Sequence, residues 1–362
     1  MAIASGLVMG SAGSYFMEWE NYAKRFRDIA LRNEFANTEI ASWLSYAENL
    51  FNKKVPIIFE QEHFAHLVGY QYDFILKASN SPENFYRTFT IPKKSGGRRT
   101  ISEPLPSLKE IQTWILEEIL NKQAVSRYAK AYVKNRSIRQ NARFHLRQKI
   151  VLTIDIEDFF GSLHSKKVYG VFREIGYSIP VSTLLSELCC LNSSLPQGAP
   201  TSPALSNILM VDVDKQISDY VVKGKNIRYT RYADDLTFSG DFEPDEVMEF
   251  VGSVLASLNL RINEKKLRIR KPGQRQQVTG VIVNEKLQAP KEMRKKLRQS
   301  VYYIEKYGLA SHLEKTENER ANHIYYLLGI ANFILFLNPE DQEALNYREI
   351  LRAYVAKDDS PG

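Results

Sequence analysis

The chain has 362 residues, 44% of them apolar and 25% charged, with a formal net charge of +7. That length and composition support a sizeable core in two or three subdomains, and no apolar run reaches the length of a membrane-spanning helix. Its two cysteines, Cys189 and Cys190, exclude a disulfide framework and a cysteine-rich structural zinc site, which points to a reduced, cytoplasmic protein.

Residues 1–15 are small and apolar but lack a basic leader, so no signal peptide is expected. Residues 1–89 read as largely helical, with amphipathic stretches over 19–31 and 40–51, and no chemistry attaches to them. Residues 91–101 read as a hairpin with Gly96-Gly97 at its turn and basic residues, Lys94 and Arg99 among them, on its flanks. A solvated basic hairpin and a phosphate-binding one are both open at this point.

In the run 151–160, Leu152, Ile154 and Ile156 share one face of a strand, with Thr153, Asp155 and Glu157 on the other. Asp155 is therefore expected at the end of a half-buried strand, facing away from the core. Two helices follow within 165–194, packed through Val171, Phe172, Leu184, Leu185 and Leu188. Next comes Leu195-Pro196-Gln197-Gly198-Ala199-Pro200-Thr201-Ser202-Pro203, where Pro and Gly fix a loop, Ser202 is placed to cap and Pro203 suits the first helical position. This loop either presents Gln197 and its backbone to a base or phosphate, or is an ordinary start to the apolar pattern Leu205, Leu209, Val213, Ile217, Tyr220.

Residues 227–238 alternate as a hairpin with Ala233-Asp234-Asp235 at its tip. Two adjacent carboxylates on a tight turn repel one another, and a divalent cation between them relieves that repulsion. Asp is also a good turn residue, but the second acidic cluster at Asp155 argues for the cation. Asp155, Asp234 and Asp235 supply three carboxylates, enough for two Mg²⁺ ions spaced for in-line phosphoryl or nucleotidyl transfer.

Residues 261–298 hold thirteen Lys or Arg against three Glu, so the basicity of the chain is concentrated there. With a turn at Pro272-Gly273 and a strand-like Val278-Thr279-Gly280-Val281-Ile282-Val283, the block reads as a phosphate-tracking surface or a solvated charged face. A helix after Pro290 places Met293, Leu297, Val301 and Ile304 on one face and Arg294, Lys295, Lys296 and Arg298 around the rest. Residues 322–337 are so apolar that burial is expected.

The order of the Asp155 strand, the Leu195-Pro196-Gln197-Gly198 loop and the Tyr232-Ala233-Asp234-Asp235 hairpin resembles the palm of a reverse transcriptase, over a stretch from about residue 90 to the C-terminus. Asn141-Ala142-Arg143-Phe144-His145 resembles the Asn-Ala-x-x-His motif of bacterial retron reverse transcriptases, and Val278-Thr279-Gly280 their Val-Thr-Gly triplet. The resemblance implies an α+β right-hand polymerase. Residues 1–89 would be a helical extension and the start of the fingers, 90–150 fingers, 151–285 palm with finger helices inserted at 165–194, and 286–362 a helical thumb with no room for a ribonuclease H domain.

By the same resemblance, Asp155 and Asp234 bind both metals with the Ile156 carbonyl, and Asp235 is a weaker ligand that also holds the hairpin. Lys94 and Arg99 contact the triphosphate of an incoming dNTP, and Asp158 and Gln197 line its pocket. Phe160 is the ring under the sugar that excludes a ribose 2′-hydroxyl, with Phe159 in the core. Tyr232 lies near the primer terminus, and Arg294, Lys295, Lys296 and Arg298 approach the RNA. Asn141 and His145 are expected near nucleic acid, with their role open, and Thr279 and Gly280 either let the backbone approach it closely or mark a plain strand bulge.

The resemblance further implies a cognate non-coding RNA as template and primer, and synthesis from an internal guanosine 2′-hydroxyl to give RNA-linked single-stranded DNA. It implies anti-phage defence with a separate effector protein as well. Another bacterial reverse transcriptase or an RNA-dependent RNA polymerase, and an inactive nucleic-acid-binding scaffold, remain as alternatives.

Overall fold

A computed structural model describes residues 19–93, 96–316 and 322–358. Helices α1 (Trp19–Arg32), α2 (Asn37–Asn52), α3 (Gln61–Val68) and α4 (Tyr72–Asn80) precede a hairpin of β1 (Tyr86–Pro92) and β2 (Arg98–Pro104). Then come α5 (Pro106–Glu118), α6 (Ile138–Phe144), β3 (Ile150–Asp155), α7 (Ser165–Ile175), α8 (Ile179–Cys189), α9 (Ser202–Leu209) and α10 (Val211–Ser218). The second half runs through β4 (Arg228–Tyr232), β5 (Asp235–Gly240), α11 (Pro244–Ala256), β6 (Arg268–Arg270), β7 (Gln277–Val278) and β8 (Val281–Ile282). It finishes with α12 (Lys291–Tyr307), α13 (Leu309–Lys315), α14 (His323–Leu337) and α15 (Gln342–Asp358). No helix among the described residues is long and apolar enough to cross a membrane.

The chain divides into two compact units, and it passes between them several times. The first takes in the residues up to Arg127, Glu157–Lys215 and Leu255–Arg261. Its helices form because apolar residues recur every three or four positions: α1 buries Tyr22, Phe26 and Ala30, and α2 buries Ile40, Leu44, Ala47 and Leu50. Helix α8 packs against α3, α4, α5 and α7, and the expected contacts Val171, Phe172, Leu184, Leu185 and Leu188 are all buried. Gln112 is a buried polar group there, and its amide nitrogen donates to Tyr86 Oη at 2.7 Å and to the Leu188 carbonyl at 2.8 Å. Both cysteines are free and buried in this unit.

The β1–β2 hairpin joins Pro92 to Arg98 in register, as the Gly96-Gly97 turn predicts. Against β2 sits the 195–203 loop: the Ser102 amide donates to the Gln197 carbonyl at 2.8 Å. Gly198 is required here. Its φ is +129°, and a Cβ would come within 2.6 Å of the Ser102 carbonyl oxygen. Ser202 does not cap α9 as the sequence suggests. Thr201 occupies the cap, while the Ser202 hydroxyl donates back to the Pro196 carbonyl at 2.8 Å and closes the loop on itself.

The second unit, Tyr128–Ile156, Gln216–Val254 and Ile262 onward, is built on a four-stranded antiparallel sheet in the order β4-β5-β3-β6. One face carries Leu152, Ile154, Tyr229, Leu236 and Phe238, all buried, with Tyr229 stacked on Phe238 at 5.0 Å. The other face carries Thr153, Asp155, Thr230, Asp235, Thr237 and Ser239, as alternation along antiparallel strands requires. The expectation that Asp155 faces away from the core is corrected here. Its face is also covered, with Asp155 at 6% exposure, because α6 and the 262–266 segment pack over it.

The strand expected over 278–283 is a tight hairpin instead. Val278 pairs with Val281, and Thr279 (φ +44°) and Gly280 (φ +86°) form a two-residue turn with both residues left-handed. Val278, Val281 and Val283 join the core made by Leu297, Val301 and Ile304 of α12 and Leu327, Ile330 and Ile334 of α14.

Candidate active site

The β4–β5 turn brings the site together. Tyr232 pairs with Asp235, so Ala233 and Asp234 alone make the turn, and Asp235 opens β5 directly opposite Asp155 at the end of β3. Ala233 has a φ of +59°, a left-handed conformation that a non-glycine residue adopts at some cost. Three contacts hold it there. Buried Arg231 donates from Nη1 to the Ala233 carbonyl at 3.2 Å, the Ile156 amide donates to the Asp234 carbonyl at 3.0 Å, and the Arg231 amide donates to the Tyr128 carbonyl at 2.9 Å.

Asp155, Asp234 and Asp235 each offer a carboxylate oxygen, and these lie within 4.8 Å of one another. Burial, and then the negative charges of Asp234 and Asp155, push the Asp235 carboxyl up to about 7. Lys266 works the other way. Its Nζ lies 2.9 Å from both oxygens of Asp155, and Asn263 Nδ2 donates to Asp155 Oδ1 at 3.1 Å. A site of three converging carboxylates, one pushed up by burial and by its neighbours' charge and one holding an ammonium, fits a hard divalent cation. Sequence reasoning misses Lys266 and Asn263. Lys266 sits in a basic run where nothing distinguishes it from its neighbours, and only the pairing of β3 with the 262–266 segment brings it to Asp155.

Asn141 and His145 are not on a surface. Both, expected near nucleic acid with their role open, are fully buried, and their polar atoms turn to other side chains of the second unit. Ser137 caps α6 through a reciprocal pair with Gln140 and sets the first turn of the helix that carries Asn141. His145 Nδ1 lies 2.7 Å from Ser239 Oγ and its Nε2 lies 2.7 Å from Thr230 Oγ1. Thr230 Oγ1 donates to Asn141 Oδ1 at 2.6 Å, and Asn141 Nδ2 donates to Thr279 Oγ1 at 3.3 Å. Thr230 spends its one hydroxyl proton on Asn141, so Nε2 of His145 carries the ring proton and Nδ1 accepts from Ser239. Burial, and then the charges of Arg228 and Lys130, push this imidazole down to about 3, so it is neutral. The two motifs that carry the retron resemblance are thus one hydrogen-bonded chain on the strands of the acidic hairpin.

The other expected residues fall into groups. Tyr232 is half-buried in the second unit beside the carboxylates in sequence. Asp158, exposed with a φ of +40°, half-exposed Phe160, half-buried Gln197 and exposed Arg99 belong to the first unit, and Phe159 is buried as expected. Lys94 lies outside the described residues. In the second unit Val278 is core and Gly280 is exposed.

On α12, Lys295 and Lys296 are exposed, with Lys296 Nζ over the Tyr326 ring at 4.9 Å. Arg294 and Arg298 are corrected as candidates. Arg294 is ion-paired with Asp341 at 2.6 Å and Glu343 at 3.1 Å, and Arg298 with Glu343 at 2.6 Å, so their guanidinium groups tie α12 to α15.

The family model of reverse transcriptases (RNA-dependent DNA polymerases) matches residues 91–331. The chain belongs to this family. It is 39% identical over 224 residues to the retron Ec86 reverse transcriptase of Escherichia coli, covering 60% of this chain and 70% of that one. To the retron Mx65 reverse transcriptase of Myxococcus xanthus it is 33% identical over 283 residues, covering 73% and 64%. To the retron Ec83 reverse transcriptase of Escherichia coli it is 30% identical over 278 residues, covering 72% and 86%. Within the family it is thus a bacterial retron reverse transcriptase, of the right-hand polymerase fold and α+β class.

Proposed function

We propose that this chain is an RNA-directed DNA polymerase that copies part of a cognate structured non-coding RNA into single-stranded DNA, primed from an internal 2′-hydroxyl of that RNA. The observation that carries the reading is the convergence of Asp155, Asp234 and Asp235 within 4.8 Å on a chain of this family. Asp155, Asp234 and Asp235, with the Ile156 carbonyl, would hold two Mg²⁺ ions, which when bound supply charge stabilisation for nucleotidyl transfer. The chain's own residues prepare that site. Lys266 neutralises Asp155 before a cation arrives, Asn263 fixes the rotamer of the same carboxylate, and Arg231 holds the turn that presents Asp234.

Roles for the nucleotide-binding residues follow from the family resemblance. Lys94 and Arg99 bind the triphosphate of the dNTP, Asp158 and Gln197 line its pocket, and the Phe160 ring excludes a ribose 2′-hydroxyl. Tyr232 meets the primer terminus. Lys295 and Lys296 bind RNA phosphates, and the exposed Gly280 turn offers backbone to RNA. The division into fingers (90–150), palm (151–285, with 165–194 inserted) and thumb (286–362) belongs to the same reading. So do a cytoplasmic location, a role in anti-phage defence and an effector protein encoded nearby.

The test uses the protein expressed with its flanking DNA. Co-purified nucleic acid is deproteinised and treated with DNase, RNase and debranching enzyme. A discrete single-stranded DNA, joined to RNA and released by debranching, supports this function. RNA alone, or unbranched DNA, contradicts it.

A further inference from the structure

The chain Ser239–His145–Thr230–Asn141–Thr279 has a single direction. Ser239 on β5 donates to His145, Thr230 on β4 accepts from His145 and donates to Asn141, and only one tautomer of His145 closes the chain. It engages both strands of the acidic hairpin from one face. Thr230 pairs with Thr237, so Ser239 is its diagonal neighbour, and the imidazole spans the two. Thr230 precedes Asp234 by four residues and Ser239 follows Asp235 by four. The far end is Thr279, in the left-handed turn whose next residue, Gly280, is exposed. A second tie runs beside it, with Arg228 Nη1 donating to the Phe144 carbonyl at 2.8 Å. Thr230, Ser239, Asn141 and His145 are all at most 1% exposed, so a shift of the hairpin along α6 would leave a buried donor or acceptor unpaired. The hairpin tip has the opposite need, since Ala233 holds an unfavourable φ and the carboxylates beside it repel.

We propose that Asn141 and His145 are positioning residues of the active site. They clamp β4 to β5 and to the Thr279-Gly280 turn, fix where Asp234 and Asp235 stand, and never touch nucleic acid. The inference rests on the polymerase reading of the carboxylate site.

The test compares Thr230→Val, which removes the central hydroxyl with little change of shape, with Thr230→Ser, which restores it. Each full-length variant is assayed for Mn²⁺ affinity by electron paramagnetic resonance, for kcat and the KM for dNTP, and for RNA affinity. In Thr230→Val, Mn²⁺ affinity and kcat should each fall about tenfold, as expected for ligands held in the wrong place. KM and RNA affinity should stay within about twofold, and Thr230→Ser should recover most of the loss. A Thr230→Val protein with wild-type Mn²⁺ affinity and kcat and only a lowered Tm would make the network merely structural and overturn the proposal. Loss of RNA affinity with kcat preserved would overturn it too, by making the network a nucleic-acid contact.

If circular dichroism shows Thr230→Val unfolded, His145→Gln takes its place. This change keeps a donor toward Thr230 and removes the acceptor for Ser239, and the same outcomes apply. A wild-type protein that binds Mn²⁺ but extends no primer would refute the polymerase reading. The clamp would still be judged by the Mn²⁺ affinities of the variants.

Discussion

Lys266 Nζ lies 2.9 Å from each carboxylate oxygen of Asp155. One ammonium thus faces the most buried of three clustered carboxylates, and its charge opposes the repulsion that pushes Asp235 up. Replacing Lys266 with Met should destabilise the metal-free protein by about 1 kcal/mol, a small figure because the lysine is half-exposed. Saturating Mg²⁺ should then raise Tm more in Lys266→Met than in the wild type, since the cation replaces the missing charge. Thermal melts with and without Mg²⁺ decide it, and equal increments in the two proteins would contradict the counter-ion role.

His145 gives a pH dependence with a definite sign. Its imidazole is pushed down to about 3 by burial and by Arg228 and Lys130, against roughly 6.5 in the unfolded chain. Below about pH 6.5 the unfolded state binds a proton that the folded state refuses, so folding stability falls as pH drops toward 3, by up to about 1.4 kcal/mol per unit. Above that window His145 contributes no slope. Chemical denaturation of the wild type and His145→Gln between pH 7 and 4 should show a shallower decline in the variant. Parallel declines would mean that the ring is protonated in the folded protein.

The basic helix α12 separates into two kinds of cation. Lys295→Gln with Lys296→Gln should reduce the slope of log RNA affinity against log salt by up to about 2, one for each phosphate no longer neutralised. Arg294→Ala should leave that slope unchanged and cost about 1–3 kcal/mol of stability, because it takes the guanidinium from buried Asp341, just before α15, while Glu343 keeps Arg298. Salt titrations and denaturation melts test the two together. A reduced slope in Arg294→Ala would return that residue to the RNA-binding set.

Much of this division is legible in the sequence, and the failures share a cause. Alternation places β3, β4 and β5 and aligns Asp155 with the Asp234-Asp235 turn, because a strand's side-chain period is fixed by its backbone. The 3.6-residue period likewise gives the buried face of α12. Asn141 and His145 are placed near nucleic acid by the family resemblance with their role open, and only the fold supplies the Thr230 and Ser239 hydroxyls that satisfy them. Arg294 and Arg298 read as free cations because their acidic partners, Asp341 just before α15 and Glu343 on it, lie more than forty residues away. A pattern periodic within one element is visible locally, whereas a polar pair made across elements is not.

Phe160 gives a prediction of substrate choice. Its ring is half-exposed while neighbouring Phe159 is buried, with centroids 5.4 Å apart, so Phe160 is available to a ligand. Phe160→Ala should raise the ratio of NTP to dNTP kcat/KM by about 10–100-fold, through removal of a steric clash worth roughly 1–3 kcal/mol. Steady-state incorporation of matched NTP and dNTP measures it, and an unchanged ratio would assign Phe160 to packing.

The most direct measurement is Mg²⁺-dependent dNTP incorporation on an RNA template by the wild type, Asp155→Asn and Asp234→Asn, with RNA affinity measured alongside. The carboxylate site predicts incorporation by the wild type and a loss of about a thousandfold or more in both variants, at unchanged RNA affinity. Incorporation that persists in either variant would show that the cluster of Asp155, Asp234 and Asp235 is not where the chemistry occurs.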